Sequence, residues 1–285
     1  MTAAHELASS SFDADRQRRI ADSFSRAASS YDSAAQLQRE VADDLMARLP
    51  QGLNPRTLLD VGCGTGYLVS HLSQRYDALS IGLDIAPGML AEARRRHAGL
   101  PIRWLTGSAE QLPLANRSID LMVSSLALQW CDSLAGFLTQ AARVLRPGGW
   151  LAFTTLCDGT LEELQCAWRH VDGAAHVNEF MTEASLIDVL KAPGWQLPEV
   201  VMTTRQTHHA TPTDTLRALK RIGANTITTS AQAGGGLSGR RRFARLAQAL
   251  ETYRQDAGIP TRYRVATVLM QRSNFDATSS LDATY

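Results

Sequence analysis

The sequence predicts a doubly wound α/β fold, with a mostly parallel sheet carrying helices on both faces. From Thr57 to Leu156, short β-rich runs alternate with helical runs at a spacing that right-handed crossovers accommodate. The first of those strands runs directly into a glycine loop, LLDVGCGTGYL from Leu58 to Leu68, at the place where a parallel sheet seats a nucleotide beyond its carboxyl ends. With 285 residues, 44% of them apolar, the chain suits one large domain with elaborations.

Taken in order, residues 1–15 are rich in Ser, Ala and Asp and are expected to be disordered. The domain proper is expected over 16–272. In 16–49 the apolar positions Ile20, Phe24, Leu37, Val41, Leu45 and Leu49 fall at helical spacing, predicting one or two helices placed to lie as a lid across a ligand. Pro50 to Pro55 break that pattern. The core, 57–156, reads as TLLDV strand, GYLVSHLSQRY helix, ALSIGLD strand, PGMLAEARRRH helix, IRWLT strand, the loop GSAEQLPLANRS, IDLMVSS strand, SLAGFLTQAARVL helix and WLAFTTL strand. Two further helical runs, LEELQCAWRHV and EASLIDVLKAP, precede the β-branched EVVMTTRQTHHA, and RYRVATVLMQ reads as the last strand. Between those two strands lies a helical insertion, 211–260, containing TDTLRALKRIGAN, the glycine-rich AQAGGGLSGRRR read as flexible, and the helical FARLAQALETYRQDAG. An insertion of that length is expected to serve function as a substrate or partner cap. Residues 273–285 read as a flexible tail.

Composition narrows the class. No stretch approaches eighteen consecutive apolar residues, and the opening MTAAHELASSSFDADRQRR has polar residues where a signal peptide would be apolar, so a cytoplasmic protein with no membrane attachment is expected. The four cysteines, Cys63, Cys131, Cys157 and Cys166, show no CxxC spacing and none sits beside a histidine, which predicts free thiols and no metal site. His208 and His209 would point to opposite faces of a strand. The net charge of +1 hides a split: residues 201–272 hold twelve Lys or Arg against Asp214, Glu251 and Asp256, a charge of +9, while the rest of the chain carries −8. A basic C-terminal third suggests an acidic partner.

The glycine loop narrows the ligand. A dinucleotide fingerprint spaces its glycines GxGxxG, to set a pyrophosphate at a helix N-terminus; here Gly62, Gly64 and Gly66 give GxGxG, with Tyr67 at the next position. Asp60 would repel a phosphate and attract an amino group. A cationic, phosphate-free ligand fits both; the alternative is a tight turn that binds nothing. Asp84, ending the second predicted strand, can accept both hydroxyls of a ribose or cap the helix that follows. Ser108, Ala109 and Glu110 in GSAEQLP offer polar groups to an adenine edge. Cys63 is expected to pack beneath a cofactor rather than to act as a nucleophile.

In LLDVGCGTG, LDIAPGML, GSAEQLP, IDLMVSSLALQW and VLRPGGWLAFTT the chain resembles the class I S-adenosylmethionine-dependent methyltransferases, from Leu58 to about Thr155. The resemblance implies a Rossmann-like sheet of seven strands whose last strand is antiparallel, and S-adenosyl-L-methionine as cofactor. The cofactor-binding set it implies is Asp60, Gly62, Cys63, Gly64, Gly66, Asp84, Ile85, Met89, Ser108, Ala109, Glu110 and Ser125. Ser108 stands where many members carry an acid. Over most of its length, through FSRAASSYDSAAQLQREVADDL, SLALQW, EFMTEASL and LRALKRIGAN, the chain resembles the malonyl-[acyl-carrier protein] methyltransferases of biotin synthesis. That family methylates the free carboxylate of a malonyl thioester, disguising it as a fatty-acid primer.

The chemistry is consistent with such a reaction. A carboxylate is ionised at neutral pH and needs no general base, so positioning and a dry site should supply the rate. Tyr31 and Trp130 are the expected water-excluding groups, with Tyr31 and Arg26 closing over the cofactor. Arg26, Arg205, Arg217, Lys220 and Arg221 are candidates to orient the carboxylate, although too strong a clamp would blunt the nucleophile. The resemblance also supplies a use for the basic third: an acidic acyl-carrier protein would dock on 201–272, notably on Arg240, Arg241, Arg242 and Arg245. Nucleic acid ranks lower, because the cluster is short and has few interleaved aromatics. A monomer is expected. Malonyl-coenzyme A as acceptor, another small acid or a quinone precursor as substrate, and a non-catalytic cofactor-binding regulator stay open as alternatives.

Overall fold

The computed structural model describes residues 14–173, 176–221 and 237–274. Seven strands form one sheet: β1 (Thr57–Val61), β2 (Leu79–Asp84), β3 (Ile102–Thr106), β4 (Ile119–Ser125), β5 (Leu145–Cys157), β6 (Glu199–His209) and β7 (Ile259–Gln271), in the order β3-β2-β1-β4-β5-β7-β6. β3, β2, β1, β4 and β5 pair in parallel, and β7 runs antiparallel to both of its neighbours. This is the sheet that the resemblance implied. The order reverses at β1 and β4, which opens a crevice beyond their carboxyl ends.

Nine helices are described: α1 (Ala14–Ala34), α2 (Gln36–Arg48), α3 (Tyr67–Arg75), α4 (Pro87–Arg96), α5 (Leu134–Val144), α6 (Glu162–Val171), α7 (Glu183–Leu190), α8 (Pro212–Arg221) and α9 (Leu237–Glu251). Strand β1 buries four of its five residues because helices cover both faces of the sheet. On one face, α5 presents Leu134, Phe137, Leu138, Ala141 and Val144 at helical spacing against Phe153, Leu59 and Met122. Its start is fixed by Ser133, whose side chain accepts from the Gly136 N–H. On the other face, α2, α3 and α4 bring Leu45, Leu72 and Leu90 onto Leu58 and Leu121. A third cluster, formed by α2, α6, α8, α9 and β7 through Leu37, Leu164, Leu219, Leu246 and Tyr263, packs the C-terminal helices onto the sheet and α2. Among the described residues no helix is long and apolar enough to cross a membrane.

Four elements differ from the sequence reading: β5 begins at Leu145, ahead of the expected WLAFTTL, and β7 begins at Ile259, ahead of RYRVATVLMQ. A 3-10 turn at Leu128–Trp130 interrupts the loop after β4. Helix α9 begins at Leu237, so LSGRRR is helical where a flexible run is expected. Arginine is a good helix former, and Arg242 is fixed by an ion pair to Asp172 and by lying over the Trp168 ring. The Gly-rich part of that stretch, 231–236, lies outside the described residues, as do 1–13, 174–175, 222–230 and 275–285.

Candidate active site

The glycine loop is built by crowding. A Cβ on Gly62 would stand 2.3 Å from the Cβ of Ala127, because the loops after β1 and β4 meet there. Gly64 has φ +54, and a Cβ at that position would meet nothing within 4 Å, so the residue leaves the cleft open while turning its backbone N–H inward. That N–H donates to Asp84 Oδ2 at 2.8 Å, and the Ala86 N–H donates to Asp84 Oδ1 at 2.8 Å. Asp84 is thereby fixed at the end of β2 with acceptor capacity to spare on each oxygen. Burial nevertheless raises its pKa, against the pull of those backbone donors. Asp60, 1% exposed, takes the Val69 N–H in the first turn of α3. Gly66 precedes that helix and is walled off by Trp104 and His97.

Two cavities meet at this loop. The larger, an open cleft of about 770 Å³, is lined by Gly62, Gly64, Asp84, Ile85, Met89, Ser108, Ala109, Glu110, Ser125 and Trp130, together with Gln17, Ile20, Phe24 and Tyr31 of α1. The smaller contains Asp60, Cys63, Thr65, Gln38 and Arg39, and shares Tyr31, Gly62, Gly64 and Ser125 with the larger. Every expected cofactor-binding residue except Gly66 therefore lines one or both. An S-adenosylmethionine molecule fits the donor set: Asp84 for ribose hydroxyls, apolar walls of Ile85, Met89, Leu83 and Leu128 for a flat base, and an acid, Asp60, on the adjoining side.

Glu110 lines the larger cavity and is also engaged by three protein donors. Its carboxylate accepts from the Ser133 N–H at 2.8 Å, the Asp132 N–H at 3.0 Å and Gln17 Nε2 at 3.1 Å, joining the entry of α5 to α1. The orienting candidates are also redistributed. Arg26 lines neither cavity; it stands five residues from Tyr31 on α1, roughly 140° around the helix. Arg205 pairs with Asp44 of α2, and Arg217 with Asp214 at 3.5 Å, both at the surface. The side chains of Lys220 and Arg221 lie outside the described residues. Arg39, which the sequence reading passed over, is the one cation among the described residues that line either cavity. Phe24, Gln17 and Gln38 were missed likewise. Helical periodicity flags Phe24 as inward-facing but cannot say that it meets a cleft.

Tyr31 reaches both cavities, and burial, then the charges of Asp84 and Asp32, push its phenol far above the ordinary range, so it remains protonated. Trp130 packs edge-on against Phe24, centroids 5.4 Å apart. Beside them Leu126 holds a left-handed backbone, φ 48, its N–H donating to Thr154 Oγ1 at 3.0 Å. Strain of this kind is concentrated at working sites.

The switch-point crevice, GxGxG loop and paired acids Asp60 and Asp84 define a class I, S-adenosylmethionine-dependent methyltransferase, and the methyltransferase domain family matches residues 59–153. The chain belongs, more narrowly, to the malonyl-[acyl-carrier protein] O-methyltransferase family. It is 39% identical over 260 residues to the Serratia marcescens member, covering 91% of this chain and 98% of that one. Against the Hahella chejuensis member the identity is 36% over 255 residues, covering 89% and 90%. The biotin biosynthesis bifunctional protein BioHC of Cellvibrio japonicus is 41% identical over 249 residues, 87% of this chain, and the chain spans about half (49%) of its length. Among solved structures, the YcgJ protein of Bacillus subtilis superposes with TM-score 0.58 at 17% identity, over 81% of this chain and 98% of that one. The [4+2]-cyclase SpnF does so with TM-score 0.51 at 19% identity, over 82% and 81%. A cyclase on this sheet shows that the fold alone does not set the reaction.

Proposed function

We propose that the chain methylates the free carboxylate of malonyl-[acyl-carrier protein], using S-adenosylmethionine, in biotin synthesis. The observation that carries this reading is the extent of the family match, which runs beyond the cofactor core into the lid and cap, where an acceptor is chosen. The bound cofactor would supply an electrophilic methyl group. Asp84 anchors the nucleoside half, and Ile85, Met89 and Leu128 enclose its base. Phe24, Tyr31 and Trp130 exclude water from the acceptor side, which favours a step in which a carboxylate and a cation neutralise each other. No general base is required, and the protonated Tyr31 phenol is suited to orient rather than to abstract. Among the described residues the larger cavity is lined by no Arg or Lys, so nothing there would quench the nucleophile.

An acidic carrier protein would dock on α9. Arg240, Arg241 and Arg245 lie there beside Phe243, a large apolar side chain 42% exposed. Arg242 is held back by Asp172 and Trp168 and drops out of the docking set. Malonyl-carrier protein incubated with the enzyme and S-adenosylmethionine should gain one methyl group by mass spectrometry. No gain, alongside methylation of a different small acid, would overturn the assignment.

A further inference from the structure

Among the described residues, Leu126 alone both lines the larger cavity and packs against the third hydrophobic cluster, the one that seats the C-terminal helices. Its backbone is left-handed, φ 48, which a Leu rarely adopts. Glycine would take that conformation freely, so what the strain secures is a side chain at this point. Both polar groups of its backbone are pinned. The Leu126 N–H donates to the backbone oxygen of Thr154 at 3.2 Å and to its Oγ1 at 3.0 Å, and Thr154 is fully buried at the centre of β5. The Leu126 carbonyl accepts from Gln129 Nε2 at 2.6 Å. The other half of that amide, Gln129 Oε1, is buried with no donor among the described residues. An amide that leaves its oxygen unpaired in this way adds little to stability, so what Gln129 contributes is its hold on Leu126. Ala127, the next residue, is stopped against Gly62.

We infer that Leu126 is a specificity-determining residue on the acceptor side, limiting the length of the dicarboxylic acid, and that Gln129 is the positioning residue that sets it. This rests on the proposed methylation of a malonyl thioester. A thioester arm borne by a carrier seated on α9 reaches the cavity from the C-terminal helices, and Leu126 stands where the two meet. Malonyl has one methylene between its carboxylate and its thioester carbonyl. A side chain fixed by its backbone at both ends is a wall that does not yield to a longer acid, and an apolar contact of this kind separates substrates differing by one methylene by roughly 10–200-fold. Neither residue supplies a reacting group: Leu126 acts by its shape, and Gln129 acts through the Leu126 carbonyl.

Methyl transfer from S-adenosylmethionine to malonyl-carrier protein and to succinyl-carrier protein, compared as kcat/KM, tests this. Leu126→Ala and Leu126→Gly should each raise the succinyl-to-malonyl ratio roughly tenfold or more. The glycine variant, relieved of backbone strain, should melt no lower than the alanine variant. Gln129→Met fills similar space and removes the unpaired oxygen, so its melting temperature should not fall, yet its ratio should shift the same way by roughly threefold or more. Affinity for S-adenosylhomocysteine should stay within about threefold in every variant, which separates an acceptor effect from a cofactor effect. A ratio that does not move in either Leu126 variant, whether activity on both acids is kept or lost, overturns the inference. A ratio that moves in those variants but not in Gln129→Met overturns the positioning role. Failure of the unaltered protein to methylate malonyl-carrier protein overturns the proposed function, and this inference with it.

Discussion

Burial pushes the Asp60 carboxyl up to about 8; the Val69 N–H pulls it back, and the charge of Asp84 raises it further. Asp60 therefore holds a proton at neutral pH in the unliganded protein, and the ammonium group of a ligand should expel it. Binding of S-adenosylhomocysteine at pH 7 is expected to release a proton, read as a buffer-dependent heat in calorimetry, with affinity rising as pH approaches 8; Asp60→Asn should abolish the release. The same shift affects the unliganded fold with a definite sign. Because the folded pKa lies above the unfolded value of 3.8, the contribution to stability is present at low pH and is lost as pH rises from 3.8 through about 8. Melting temperature followed across that window should fall, and Asp60→Asn should flatten the decline. At Asp84, whose oxygens are fixed by Gly64 and Ala86, Asp84→Ala should weaken S-adenosylhomocysteine by roughly ten- to a hundredfold, the loss of charge-assisted hydrogen bonds. Both acids were legible in the sequence because each lies at the end of a strand beside the glycine loop. Gln38 and Arg39 were not, since their meaning depends on which way a helix faces once it is laid over the sheet.

Helix α1 is held over the cleft by a few specific contacts. Arg16 reaches Asp132 and the Trp130 backbone oxygen, Gln17 reaches Glu110, and Ser25 Oγ accepts the Gly88 N–H at 3.1 Å. The helix ends at Ala34, and α2 starts again at Gln36, so the N-terminal helical segment has a joint between its two parts. Removing the far-end contacts with Arg16→Ala and Gln17→Ala together should speed S-adenosylhomocysteine dissociation about tenfold in stopped-flow experiments while leaving the melting temperature nearly unchanged. An unaltered off-rate would mean that ligand exchange does not require α1 to lift. Most elements were readable from alternation and spacing, β4 residue for residue, because buried parallel strands and amphipathic helices leave strong periodic signals. The start of α9 was not. Glycine and arginine in series suggest a loop, and only the tertiary contacts of Arg242 with Asp172 and Trp168 reveal what holds the helix there.

The molecule as a whole separates its charge as well as its tasks. The −8 portion includes the cofactor cleft, and the +9 portion, residues 201–272, includes most of β6, the cap helices α8 and α9, and β7. Reversing Arg240, Arg241 and Arg245 should raise KM for a carrier-protein thioester, more so at low ionic strength, and spare a coenzyme A thioester. Equal effects on both substrates would place docking elsewhere. The antiparallel last strand could be expected from the resemblance, but how the C-terminal helices join the rest could not: Leu37 of α2 and Leu246 of α9 lie far apart in sequence and share one cluster.

Strand β7 is almost the last described segment, yet it lies inside the sheet, matched to β5 through eight residue pairs and to β6 through eleven. During synthesis, then, both of those strands leave the ribosome well before the strand that separates them. For that interval β5 and β6 each present an unpaired backbone edge, the condition under which nascent chains stick to one another. A chain released after residue 258 would be caught in it permanently, and should accumulate as aggregate in a cell-free translation that yields soluble full-length protein.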